Sequence, residues 1–147
     1  MLRWDHVFVH HSAGSDTDSI EADEYRRHHL SLGWRDIGYH FVVEQVEGRG
    51  FWPIGGRPLN MVGSHCPGWN KRALGVCLAG NFTLEPPRRE QLEVAAKLVA
   101  GLCDAFNIPT DHVHQHRWHR ATECPGDAFP FDEFLGLVDG HRVNGDA

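Results

Sequence analysis

The stretch "ALGVCLAGNF", residues 73–82, constrains the fold more than any other part of the chain. It is short, apolar and uninterrupted, the pattern of a strand buried on both faces. Such a strand needs cover above and below, and the flanking segments are built to supply it. "HVFVHHSA" alternates and is β-branched, so it reads as a strand ending at small and polar residues. "GYHFVVEQVEGRGFWPIG" reads as strand, glycine turn, strand. "SDTDSIEADEYRRHHLSLG" reads as a helix, with Asp18 as N-cap, Glu21 three residues on, basic groups in its second half and Gly33 closing it. The clearest helix is "PPRREQLEVAAKLVAGLCDAFN", where prolines start the segment and Leu92, Ala95, Val99, Leu102 and Phe106 form one stripe. Ile108-Pro109 ends it, "DHVHQHR" follows as an extended segment, and "FDEFLGLVDG" reads as a last helix. Residues 55–69, rich in Gly, Pro and Asn, read as a long loop covering one face. Strands alternating with helices imply an α/β sandwich around one sheet, in a single domain spanning residues 1–140 with a disordered tail at 141–147.

The composition, 41% hydrophobic and 23% charged over 147 residues, is that of a globular domain able to bury one core. No apolar run approaches membrane-spanning length, and the N-terminal stretch lacks the apolar centre of a signal peptide. The expectation is therefore a chain that accumulates in the cytoplasm and does not insert into membranes. A net charge of −6 argues against a nucleic-acid partner, which calls for a basic surface. An acidic single domain of this size is expected to be a monomer. Cys77 and Cys103 lie in apolar runs as small hydrophobes, and they and Cys66 are expected to be reduced.

Histidine is the outlier, twelve residues spread along the chain, four of them in "HVHQHRWHRATECPG" with Cys124. Imidazole and thiolate are good zinc ligands. Three groupings compete. In a strand, His112, His114 and His116 share a face. In a helix, His116 and His119 share one. Alternatively, one histidine and Cys124 meet, with further ligands from elsewhere. Cys124 stands out because "TECPG" is a turn with little apolar packing to explain a buried thiol.

"HRWHRATECPGDAF" resembles the C-terminal signature of zinc-dependent N-acetylmuramoyl-L-alanine amidases, which share a fold with peptidoglycan recognition proteins. "FVHHSA", "GWRDIGYHFVV" and "VGSHCPGWNKRALGVCLAGNF" resemble three further segments of that family, in order, so the likeness covers residues 4–135. It implies a central mixed β-sheet flanked by helices. It also implies one zinc ion held by His10, His116 and Cys124, with Tyr39 and Thr122 as catalytic residues. The implied reaction is hydrolysis of the amide between N-acetylmuramic acid and L-alanine in peptidoglycan. The cysteine ligand places the chain nearest the short phage amidases, implying a phage or prophage endolysin; the alternative is a peptidoglycan-binding module without catalysis. A histidine-rich metal store, built on His112, His114 and His116, is a third reading.

His65, Trp69 and Asn70, in the glycine-rich loop, are the substrate-groove candidates, since sugars stack on Trp and peptides hydrogen-bond to Asn. His11 is expected to point away from the metal as a supporting residue, and His40 to face away from it. His112 and His114 are candidates to brace His116, while His119 and Trp118 are expected to be exposed.

Overall fold

A computed structural model describes residues 2–14, 21–33 and 36–143, with backbone alone for residues 21–25. Five strands form one mixed sheet: β1 His6–His11, β2 Phe41–Val46, β3 Gly50–Gly55, β4 Ala73–Leu78 and β5 Val113–Gln115. Their order is β3-β2-β4-β1-β5, antiparallel only between β2 and β3. β4 is buried at every position, as its apolar run requires.

The helices are α1 Glu21–Ser31, α2 Arg89–Phe106 and α3 Phe131–His141. Along β1, Val7 and Val9 point into the main core with Leu74, Val76 and Leu78 of β4, under the buried stripe of α2 and Phe134 and Val138 of α3. Gln91 is buried in that layer, and its Nε2 donates to the carbonyls of Val43 and Ala79, tying α2 to β2 and to the end of β4. On the opposite face, Phe8, Cys66 and Ala73 pack with Trp69 under the loop at residues 56–72. The sheet thus has one face fastened to α2 and α3, while loops and α1 stand on the cavity side, and the period-two alternation of β1 serves both.

α1 closes at Gly33, which takes φ +87° and donates its N–H to the Leu30 carbonyl. The expected Asp18 cap lies outside the described residues. The expected tail is anchored at its start: α3 includes His141, and Arg142 donates to Asp104, the Ile108 carbonyl and Thr110. Residues 144–147 are outside the described part. All four cysteines are free, and no helix among the described residues is long and apolar enough to cross a membrane.

Candidate metal centre

Three donor atoms from distant parts of the sequence meet at the end of β1. Ligand atoms of His10, His116 and Cys124 all lie within 4.8 Å of one another, the one such grouping of three among the described residues. Cys124 Sγ is 3.8 Å from His10 Nδ1, and the rings of His10 and His116 are 4.5 Å apart. A tetrahedral zinc site sets nitrogen and sulfur donors roughly 3.3 to 3.6 Å apart, so the cluster is close to that spacing.

The hydrogen bonds behind His10 fix which of its nitrogens faces the cluster. A carbonyl can only accept, so His65 Nε2 donates to the Ala73 carbonyl at 2.9 Å. Burial, ahead of smaller influences from neighbours, pushes the His65 pKa down to about 3, so the ring is neutral and its Nδ1 accepts. The partner at 2.9 Å is His10 Nε2, which therefore donates. Burial also holds His10 well below its usual pKa. With its one proton on Nε2, the His10 lone pair at Nδ1 is turned toward Cys124. This is the arrangement that orients a metal-ligating imidazole, with its other N–H given to a fixed partner.

Glycine makes room for that partner. A Cβ on Gly75 would lie 2.7 Å from His65 Cγ and Cδ2, and one on Gly63 would lie 2.8 Å from His65 Cδ2. His65 thus occupies a slot between two residues without side chains.

Cys124 is held from its own side. The His11 N–H donates to Cys124 Sγ at 3.3 Å, the contact that best suits a thiolate. The His11 ring turns away and accepts the Phe82 N–H at Nδ1. Gly126, at φ +105°, packs directly on the Phe82 backbone, where a Cβ would come within 2.2 Å. The Phe82 carbonyl accepts the Ala128 N–H, so β1 and the cysteine turn are clamped through one residue. Without a cation, burial pushes the Cys124 thiol up to about 12. The donor set, two neutral imidazoles and one buried sulfur with an amide aimed at it, fits a divalent zinc ion.

The cluster lines a cavity of about 350 Å³, together with Tyr39, Asn70 and Thr122. The Tyr39 ring is 5.1 Å from that of His10. Thr122 Oγ1 accepts the Cys124 N–H at 3.2 Å, which leaves its own proton to point elsewhere. A larger hollow of about 580 Å³, lined by Gly80, Phe82, Leu84 and Pro86 among others, holds none of the clustered donors.

The remaining sequence candidates separate clearly. His65 lines the cavity but has both nitrogens engaged, so it stands behind His10. Asn70 is also in the wall, with Oδ1 accepting the N–H groups of His65 and Cys66. Trp69 is not in the cavity wall; it packs against His6, Phe8 and His119, with the Arg72 guanidinium 4.8 Å above its ring. His40 donates to the Met61 carbonyl from Nε2, accepts the Gly75 N–H at Nδ1 and takes no part in the cluster. His112 and His114 do not brace His116: His112 stacks on His6, and His114 Nδ1 meets His119 Nε2 at 2.9 Å. The 3-10 turn His116–Trp118 folds the chain back, so His119 stacks on Phe8 and is half-buried, while Trp118 is 54% exposed. No sequence signal singles out His29, which lines the cavity from α1 and accepts the Gly38 N–H at Nδ1.

A family model described as N-acetylmuramoyl-L-alanine amidase matches residues 1–127. Peptidoglycan-recognition protein LB of Drosophila melanogaster is 33% identical over 129 residues, 82% of this chain and 54% of the relative. The endolysin of Escherichia phage T7 is 40% identical over 81 residues, 53% of this chain and 49% of the relative. The chain thus spans about half the length of these two curated relatives. Among solved structures, N-acetylmuramoyl-L-alanine amidase LysC from Clostridium intestinale URNW superposes with a TM-score of 0.81 at 31% identity, covering 99% of this chain and 88% of that one.

Proposed function

The chain belongs to the N-acetylmuramoyl-L-alanine amidase family, and on that premise we propose that it is a zinc-dependent hydrolase of peptidoglycan. The bond cleaved is the amide joining the lactyl group of N-acetylmuramic acid to L-alanine of the stem peptide. One observation carries this reading: His10, His116 and Cys124 converge at an open cavity, with His10 already oriented by His65.

His10, His116 and Cys124 would hold the ion, a donor set suited to zinc. The chemistry zinc would supply there is Lewis-acid polarisation of the amide carbonyl and acidification of water. The protein's own groups do the rest. His65 and the Ala73 carbonyl keep the His10 lone pair on target. The His11 amide stabilises negative charge on Cys124 Sγ. The Tyr39 phenol, on the cavity wall, donates a hydrogen bond to the carbonyl oxygen as it gains charge. Thr122, whose oxygen is already accepting from Cys124 N–H, presents its hydroxyl proton as a second, weaker donor. Asn70 shapes the wall that receives the peptide.

The biological role we assign is that of a phage or prophage endolysin, supported by the likeness to the T7 endolysin. Metal analysis of the purified protein, combined with mass spectrometry of digested cell walls, tests ligand set and bond together. Zinc at one per chain, with new lactyl carboxyl and L-alanyl amino ends, is the expected result. Zinc-loaded protein that binds walls without releasing those ends would instead make it a binding module.

A further inference from the structure

Arg120 lies at the lip of the cavity. Its Nη2 donates to the Pro67 carbonyl at 2.7 Å. Pro67 lines the cavity, and the Arg120 carbonyl accepts the N–H of Thr122, another lining residue. The residue therefore bridges the two walls of the opening. Its charge is felt at His116, where it adds to burial in holding the imidazole neutral.

Neighbouring arginines are already matched. Arg117 pairs with Asp127, Arg72 with Asp5, Arg26 with Asp36 and Arg142 with Asp104. Arg57 donates to three backbone carbonyls. Arg120 has no carboxylate partner among the described residues and is exposed. A guanidinium offers five N–H donors, of which the bond to the Pro67 carbonyl uses the smaller part. The chain carries −6 overall, and Glu123 adds negative charge beside His11 of the same cavity. An anionic ligand approaching this site is repelled by the chain as a whole and meets Arg120 as a cation at the entrance.

We propose that Arg120 is a specificity residue that binds a carboxylate of the peptide portion of the substrate, so that stem peptides with a free carboxylate near the scissile amide are preferred over their carboxamide forms. The planar guanidinium matches a carboxylate with two parallel hydrogen bonds, and its anchor on the Pro67 carbonyl orients it before substrate arrives. Because Arg120 stands at the lip and is not one of the clustered donors, its contribution falls on binding.

This inference rests on the hydrolase reading, and the test separates the two. The probes are N-acetylmuramoyl-L-alanyl-γ-D-glutamyl-L-lysine and the same compound with the glutamyl α-carboxylate as a carboxamide. The zinc-loaded protein, Arg120→Gln and Arg120→Lys are compared on both by kcat and KM. The expected wild-type preference for the carboxylate form is about tenfold, as one charge-assisted pair at a partly solvated site gives. In Arg120→Gln the ratio falls to about one through KM, and Arg120→Lys restores part of it. A ratio unchanged by Arg120→Gln overturns the proposal, because a purely structural role as a staple on Pro67 would weaken both probes equally. If the wild type cleaves neither probe, the hydrolase reading fails. Equilibrium binding of the same two probes then decides on Arg120 alone, by the same ratio.

Discussion

Replacing Gly75 by alanine adds one methyl group to the middle of β4, at a position whose backbone is held in place. The Gly75 carbonyl accepts the His40 N–H at 2.9 Å, and the Gly75 N–H donates to His40 Nδ1 at 3.1 Å, so the backbone is held at both polar groups. The new Cβ would stand 2.7 Å from His65 Cγ and Cδ2, and ordinary contact begins at 3.4 Å, so the ring must retreat by about 0.7 Å. Gly63 closes the other side of the slot. A retreat of that size directed away from His10 would stretch the 2.9 Å contact between His65 Nδ1 and His10 Nε2 to about 3.6 Å, beyond a hydrogen bond. Losing the partner that orients a metal-ligating imidazole weakens metal binding by about 10- to 100-fold. Overpacking lowers stability by about 1–3 kcal/mol in addition. Competition for zinc against a chromophoric chelator reads the first effect, and urea unfolding of the zinc-free protein reads the second. In a His65→Ala background the clash has no object, so adding Gly75→Ala should weaken zinc binding no further. Zinc affinity within twofold of wild type for Gly75→Ala alone would refute the argument that His65 orients His10.

Three further outcomes follow from the same contacts. The Cys124 thiol, pushed up to about 12 by burial, must lose its proton to a metal, while His10 and His116 are held neutral. Zinc uptake at neutral pH should therefore release about one proton, and apparent affinity should tighten about tenfold per pH unit, both read by calorimetry in buffers of different ionisation enthalpy. Tyr39→Phe should slow hydrolysis by about 10²-fold, with zinc content unchanged by metal analysis; full activity would remove Tyr39 from the chemistry. Burial alone would raise the Asp36 carboxyl, but the bonds from Arg26 and the Ile37 amide prevail and hold it below its ordinary value. A depressed carboxyl contributes stability above its unfolded pKa and loses it as pH falls. Asp36→Asn should therefore flatten the loss of stability between about pH 5 and pH 3 in urea unfolding.

The layered architecture was legible because it rests on local periodicity. The run in β4 and the stripe of α2 each state their burial in the order of their residues, and both occupy the predicted layers. The pairing of His10 with His116 and Cys124 has no local signal; only the ordered resemblance of several segments selects these three, and the structure brings them together. Where reasoning was purely local it misled. His112 and His114 sit at strand spacing from His116, yet short 3-10 turns on either side of β5 send their rings to His6 and His119. Trp69, a groove candidate by residue type, is partly buried against Phe8 and is not among the residues of the cavity wall. His65 could not be recognised as the support of His10, because the slot depends on glycines at positions 63 and 75 coming together across the fold.

The separation of the sheet into a back covered by α2 and α3 and a front that carries the cavity gives the molecule a handle. The sequence holds two lysines, Lys71 on the front loop and Lys97 on the exposed side of α2, behind the core. With Lys71 changed to arginine, amine-reactive attachment to a solid support would run through Lys97 and the N-terminal amine. Molecules tethered at Lys97 would stand with their cavities facing outward, forming the oriented fraction of the layer.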